Sequence, residues 1–266
     1  MNKSLSGSYF MDDPREAARL VAKVDPKLWA TTFLAPLIDS SSAKRILDVG
    51  CGPGALASAV ADTSPVVHVT GVDASAARIA EAISHDRVAL TVGNAHHLDF
   101  EDESFDVVYC RFLIEYLQDK QQAINEMVRV TKPDGTILLQ DLDGQLLWHH
   151  PIDSDTEQTI QRAVSALESE GFDPMVGRKL FHFCRRAGLG DIDVKIEPYH
   201  QIIGAIADPE RTQWQLKLNI AKSALSRLSS SEFAEDAIQR FQAHLDSPDT
   251  ITYSNLFTVT GTKPPE

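Results

Sequence analysis

The run Ile46-Leu47-Asp48-Val49-Gly50-Cys51-Gly52-Pro53-Gly54 constrains this chain more than any other segment. A short apolar stretch, read as a buried strand over residues 45–49, leads directly into three glycines at alternate positions. Residues 55–61 then read as a helix. Glycine has no Cβ, so such a loop tolerates positive φ and lets its backbone approach a ligand closely. The helix start that follows presents free N–H groups of the kind that receive a carboxylate. A tight turn with no ligand would satisfy the same residues, so the loop has to be read with what surrounds it.

The strand–helix alternation continues. Residues 66–73, 88–92, 105–110 and 136–141 read as strands, and 76–84 and 119–130 as helices; Lys132-Pro133-Asp134-Gly135 is a turn before the fifth strand. This order predicts an α/β fold, with a mainly parallel sheet and helices on both faces. Upstream, Pro14 opens one helix, and a second spans about 26–38 with Trp29, Phe33 and Leu37 on one stripe. Downstream, 153–171 and 174–187 read as helices, 191–198 and 250–262 as the sixth and seventh strands. Between these strands Asp208-Pro209 starts a helix with Asp as its cap, and Ser229 with Glu232 offers a capping box for another. The expected organisation is N-terminal cap helices over 1–43, a core over 44–199, a helical lid inserted over 200–249, and a last core strand with tail over 250–266.

Asp73 ends the second strand, 23 residues after Gly50. An acid there meets the ribose hydroxyls of an adenosine cofactor. The same residue could instead only cap the helix that starts near Ser75. With these residues in place, the stretch 44–142 resembles the class I S-adenosylmethionine-dependent methyltransferases of the small-molecule type. Asp48-Val49-Gly50-Cys51-Gly52-Pro53-Gly54 is similar to their first motif, and Val72-Asp73-Ala74-Ser75 to their second. Gly93-Asn94-Ala95 is similar to the third; many relatives carry Asp at the position of Asn94, and Asn still offers an acceptor to the adenine amino group. Residues 104–112 resemble the fourth-strand motif, and 126–135 the helix and turn before the fifth, with Asp134-Gly135 where Gly-Gly is usual.

The resemblance implies a Rossmann-like seven-stranded sheet and S-adenosyl-L-methionine as cofactor, with S-adenosyl-L-homocysteine as product. It implies a cofactor site of Asp48, Gly50, Cys51, Gly52, Gly54, Asp73, Ala74, Asn94, Ala95, Cys110 and Arg111, with Tyr9 folding over the bound cofactor. No metal is implied.

The methyl acceptor would sit beyond the carboxyl ends of the strands. Alignment of a nucleophile behind the methyl supplies much of the rate, and a general base is needed only where the acceptor must lose a proton early. His149 or His150 is the expected base. Arg111 would bind an acidic substrate or pair with Glu115. The apolar faces of the insertion suit a small, moderately hydrophobic metabolite, with O- or C-methylation favoured; the insertion is also compatible with a homodimer. Two other readings stay open: a non-methylating enzyme on the same fold, and a non-catalytic cofactor-binding scaffold.

Composition bears on partners. Acidic residues number 38 against 25 basic ones, a formal charge of −13. That field repels phosphate backbones and anionic membranes, so no nucleic-acid or membrane partner is expected. The three cysteines, Cys51, Cys110 and Cys184, are widely spaced, which suits a reducing compartment. With neither a signal peptide nor a long apolar run visible, a cytoplasmic location is expected.

Overall fold

The structure, a computed structural model, describes residues 24–38 and 44–265. The expectations for Tyr9 and for a helix opening at Pro14 lie outside the described residues. Seven strands form one sheet: β1 (Lys44–Val49), β2 (Val67–Asp73), β3 (Val88–Val92), β4 (Phe105–Arg111), β5 (Thr131–His150), β6 (Gly190–Ile203) and β7 (Ile251–Thr262). Their order is β3-β2-β1-β4-β5-β7-β6. The pairs from β3 to β5 are parallel, and β7 runs antiparallel between β5 and β6. The central strands are apolar on both faces because helices cover both. One apolar cluster joins Leu47, Val49, Val108, Ile124, Met127 and Leu139; the other joins Trp29, Leu34, Ile46, Val60, Val69 and Tyr109.

Helices α1 (Pro26–Trp29), α2 (Ala55–Ala61), α3 (Ala76–Ala80), α4 (Lys120–Val130), α5 (Ser154–Glu168), α6 (Leu180–Arg186), α7 (Asp208–Leu228) and α8 (Ser231–Leu245) surround the sheet. The segment expected as one helix over 26–38 changes pitch twice, to a π turn at Ala30–Leu34 and a 3₁₀ turn at Ala35–Leu37. Pro36 lacks the N–H that a continuing ladder needs.

Several local expectations are corrected. Asp208 is the first residue of α7 rather than its cap; Ala207 occupies that place with no side-chain bond. Ser230, not Ser229, caps α8, its hydroxyl accepting the N–H of Phe233 at 3.1 Å. The turn at 132–135 is an irregularity within β5. There Asp134 takes positive φ (60°), while Gly135 is required for space: a Cβ would lie 2.7 Å from the Thr131 methyl.

The largest difference is at the far end of the sheet. β5 does not stop near Asp141 but runs on to His150, paired with β7 at Trp148–Tyr253, His149–Thr252 and His150–Ile251. β6 likewise continues past Pro198 to Ile203, since an edge strand tolerates proline where no ladder bond is lost. These three strands overhang the carboxyl edge of the parallel sheet. Helices α5, α7 and α8 pack on the overhang through Ile160, Val164, Ile202, Trp214, Leu218 and Phe241. The helical layer therefore includes α5, which precedes β6, together with the inserted pair α7 and α8.

Candidate functional site

The glycine loop is built by backbone geometry. The N–H groups of Gly50 and Cys51 both donate to Val72 O, at 2.7 and 3.1 Å, which pins the loop to the end of β2. Gly50, Gly52 and Gly54 all have positive φ, at 83°, 54° and 83°. Their surroundings differ. A Cβ on Gly54 would meet Leu90 at 2.5 Å and one on Gly50 would meet Leu113 at 3.0 Å, whereas one on Gly52 would meet nothing within 4 Å. The loop is thus packed at both ends and open at its centre.

Asp73 closes one side of that opening. One carboxylate oxygen accepts the N–H of Gly52 and the other that of Ser75, both at 2.9 Å. Arg78 stands 3.8 Å away. The helix cap itself is Ser75, whose hydroxyl accepts from Arg78 N. Asp73 is therefore more than a cap: it ties the loop to β2, and a carboxylate has lone pairs left for two further donors. Ala74 beside it is exposed. Asn94 follows β3, and its Oδ1 accepts the backbone N–H of His96 at 2.9 Å and contacts His96 Nδ1 at 3.0 Å. The acceptor that the sequence offers to adenine is thus already engaged, which leaves the Asn94 amide N–H groups. Ala95 packs on the core.

Asp48 lies beneath the loop, 3% exposed, and accepts the Tyr109 hydroxyl at 2.7 Å. Burial pushes its carboxyl up to about 7, against the lowering effect of that bond. An acid whose folded pKa is raised binds more protons folded than unfolded, so its effect on stability becomes less favourable as pH rises from the usual carboxylate range to about 7. Asp48→Asn is accordingly expected to gain thermal stability over the native chain between about pH 5 and about pH 8, by up to a few kcal/mol. Melting curves of both proteins at the two pH values measure this; a constant offset would show that Asp48 is ionised throughout. Cys51 and Cys110 are buried, and burial pushes both thiols up. Cys110 turns its side chain into the core, so only its backbone faces the carboxyl edge.

Arg111 ends β4 beside the loop. Its Nε donates to Gln140 Oε1 at 2.9 Å, an oxygen that also accepts Trp29 Nε1 at 2.8 Å. The side chain hydrogen-bonds Tyr199 as well, and its guanidinium carbon lies 3.9 Å from the Phe112 ring centre. The expected alternative, a pair with Glu115, is not formed. Glu115 instead accepts Gln145 Nε2 at 2.9 Å, and Gln145 Oε1 accepts from Lys217 of α7.

His149 and His150 are not brought to this loop. Val49 is level with Leu139 through β4, and Leu139 pairs with Val259 while His149 pairs with Thr252. Seven residues of β7 separate those levels, about 24 Å at ~3.4 Å per residue. His149 contacts Thr252 Oγ1 at 2.9 Å and packs against Phe241 and His244 in the helical layer; His150 is exposed.

Comparison with known proteins points to the same domain type as the sequence motifs. Residues 47–139 match the family model described as a methyltransferase domain. An uncharacterized methyltransferase of Schizosaccharomyces pombe is 27% identical over 212 residues, 74% of each chain. Residues 47–139 form a methyltransferase domain of the class I S-adenosylmethionine-dependent type. The methyltransferase YcgJ of Bacillus subtilis is 36% identical over 103 residues, 36% of this chain and 40% of that one. Among solved structures, a phosphoethanolamine N-methyltransferase of Haemonchus contortus, in complex with phosphomonomethylethanolamine and S-adenosylhomocysteine, superposes with a TM-score of 0.59 at 20% identity. The match covers 90% of this methyltransferase and 53% of that chain, and at this identity it speaks for the fold alone.

Sequence reading of this methyltransferase missed Gln145, Tyr199, His200 and Lys217. None stands in a motif. Pro198 reads as a strand end, and Lys217 adjoins an apolar stripe with nothing in its spacing to mark it as buried.

Proposed function

We propose that this methyltransferase binds S-adenosyl-L-methionine across the glycine loop and transfers its methyl group, at oxygen or carbon, to a small, moderately hydrophobic metabolite. The observation that carries the reading is the open centre of the loop at Gly52, bracketed by Asp73. Gly50, Cys51, Gly52 and Gly54 would cradle the amino-acid portion by close backbone approach, above Asp48. Asp73 and Ala74 would receive the ribose, Asn94 and Ala95 the adenine, and Cys110 and Arg111 would bound the methyl side. The bound cofactor supplies an electrophilic methyl on a sulfonium. The chain's residues hold the acceptor in line and keep water out.

The charge of −13 argues against a nucleic-acid acceptor. Among the described residues no helix is long and apolar enough to cross a membrane. The three cysteines are buried and free, which is compatible with a cytoplasmic setting.

Calorimetric titration with S-adenosylmethionine tests the reading. The native chain is expected to bind at micromolar concentrations. Gly52→Asn should fold, since nothing lies within 4 Å of its Cβ position and asparagine tolerates the left-handed φ of 54°, but it should not bind, because the side chain fills the space the cofactor needs. No heat from a folded native chain would remove the proposal and leave a scaffold on this fold.

A further inference from the structure

Arg111 differs from its neighbours in charge compensation. Its partners are Gln140, the Tyr199 hydroxyl and the Phe112 ring, all uncharged. No carboxylate among the described residues lies within ion-pair distance of it. Arg178, by contrast, grips Asp143 through both its Nε and an Nη. The acids near Arg111 are otherwise engaged. Asp48 holds Tyr109, and Glu115 holds Gln145. Asp141 accepts the N–H groups of Leu142 and Glu115, and burial together with the Glu115 charge pushes its carboxyl well up. A guanidinium stays ionised in this setting, so the methyl side of the site carries a cation with no counter-ion of its own. A partly desolvated charge of this kind is costly unless a ligand compensates it.

The wall beside Arg111 is aromatic. Phe112 meets Tyr199 at 5.8 Å between ring centres, Tyr199 meets His200 at 4.5 Å, and His200 meets Trp214 at 5.2 Å. Phe112, Tyr199 and His200 are only partly buried. Two of them, Phe112 (φ 55°) and His200 (φ 43°), hold the left-handed conformation that non-glycine residues avoid. Register shifts in β5 (Asp143 to Trp148) and β6 (Tyr199 to Ile202) lie on either side of β7 at adjacent levels, opposite Ser254 and Tyr253. Bulges re-aim side chains, and strained residues gather at functional sites.

We propose that the methyl acceptor is a flat, conjugated molecule with an acidic hydroxyl, a phenol or an enol, lying along Phe112, Tyr199 and His200 with its oxygen held as an anion by Arg111. This rests on the cofactor reading above and narrows its acceptor. The hydroxyl loses its proton to solvent, and the Arg111 guanidinium stabilises the anion that remains. An oxygen lone pair then forms the bond to the methyl carbon while the carbon–sulfur pair returns to sulfur. Oxyanion and sulfonium are both neutralised, and the products are a methyl ether and S-adenosylhomocysteine. An amine acceptor would reverse this balance, because its nitrogen becomes cationic beside Arg111.

The test compares naphthol with naphthylmethylamine as probes, following S-adenosylhomocysteine release by native protein and Arg111→Gln, with cofactor affinity measured by calorimetry. Naphthol should be methylated and the amine should not. Arg111→Gln, assayed at saturating cofactor, should lower kcat/KM for naphthol about 100-fold, the loss of one charge-assisted contact, and shift its pH profile upward. Preference for the amine, failure of the cofactor-bound native protein to methylate naphthol, or an Arg111→Gln variant that keeps the native kcat/KM and pH profile at saturating cofactor would each overturn the proposal. A native chain that does not bind cofactor removes the underlying reading as well, and the calorimetric arm tells the two failures apart.

Discussion

Asp73→Ala is expected to weaken S-adenosylmethionine binding by about 100-fold, through loss of charge-assisted hydrogen bonds to the ribose. Two effects add. The variant removes the carboxylate lone pairs left over after Gly52 and Ser75 are satisfied, and it releases the Gly52 N–H that the carboxylate holds at 2.9 Å. The loop then loses its tie to β2 at its open centre. Asp73→Asn should be nearly as damaging. Both carboxylate oxygens accept backbone N–H groups, and an asparagine must turn its own NH₂ toward one of them. Calorimetry on the native chain and both variants, with circular dichroism to verify folding, measures the effect. An Asp73→Asn variant that binds like the native chain would mean that Asp73 serves the loop and helix α3 only.

The parallel half of the sheet and its glycine loop were legible because their signals are local. Strands such as β1 and β4 are apolar throughout, since both faces are covered. Gly54 and Gly50 were legible as a loop, though not the reason for each: Leu90 and Leu113 crowd them, and only Gly52 is open. Asp73 was placed by its distance from Gly50. Its pair of hydrogen bonds to Gly52 and Ser75 was not, because it depends on how two loops meet in space.

The overhang of β5, β6 and β7 was not legible, and the placement of His149 and His150 failed with it. Gly144 and Gln145 look like a strand end, and so does Pro198. What keeps these strands going is their antiparallel pairing with β7, more than a hundred positions from β5, and sequence periodicity carries no information about that partner. Two histidines expected in a loop near the methyl therefore stand on a strand some 24 Å along it. Lys217 and Glu115 were obscured for a related reason. A charged residue is read as solvated by default, and only the fold shows that both are buried.

Those two residues give the second large expectation. Lys217 is 7% exposed and Glu115 is 2% exposed, and Gln145 joins them, its carbonyl accepting from Lys217 and its amide donating to Glu115. Lys217 also lies 5.1 Å from the Trp214 ring. The chain of contacts links α7 to the β4 end through the bulge in β5. Lys217→Met is expected to destabilise the protein by about 3 kcal/mol, because it leaves the Gln145 carbonyl short of a donor and the Glu115 carboxylate buried without that nearby cation. Thermal melting should show a drop of roughly 6–12 °C for a chain of this size. Glu115→Gln should also destabilise, but the double variant should cost less than the sum, since two buried charges of opposite sign leave together. A double-mutant cycle gives the coupling, expected to exceed about 1 kcal/mol. Strict additivity would mean that Gln145 insulates the two charges and that α7 is held on the sheet by its apolar contacts with Phe241 and Ile202 alone.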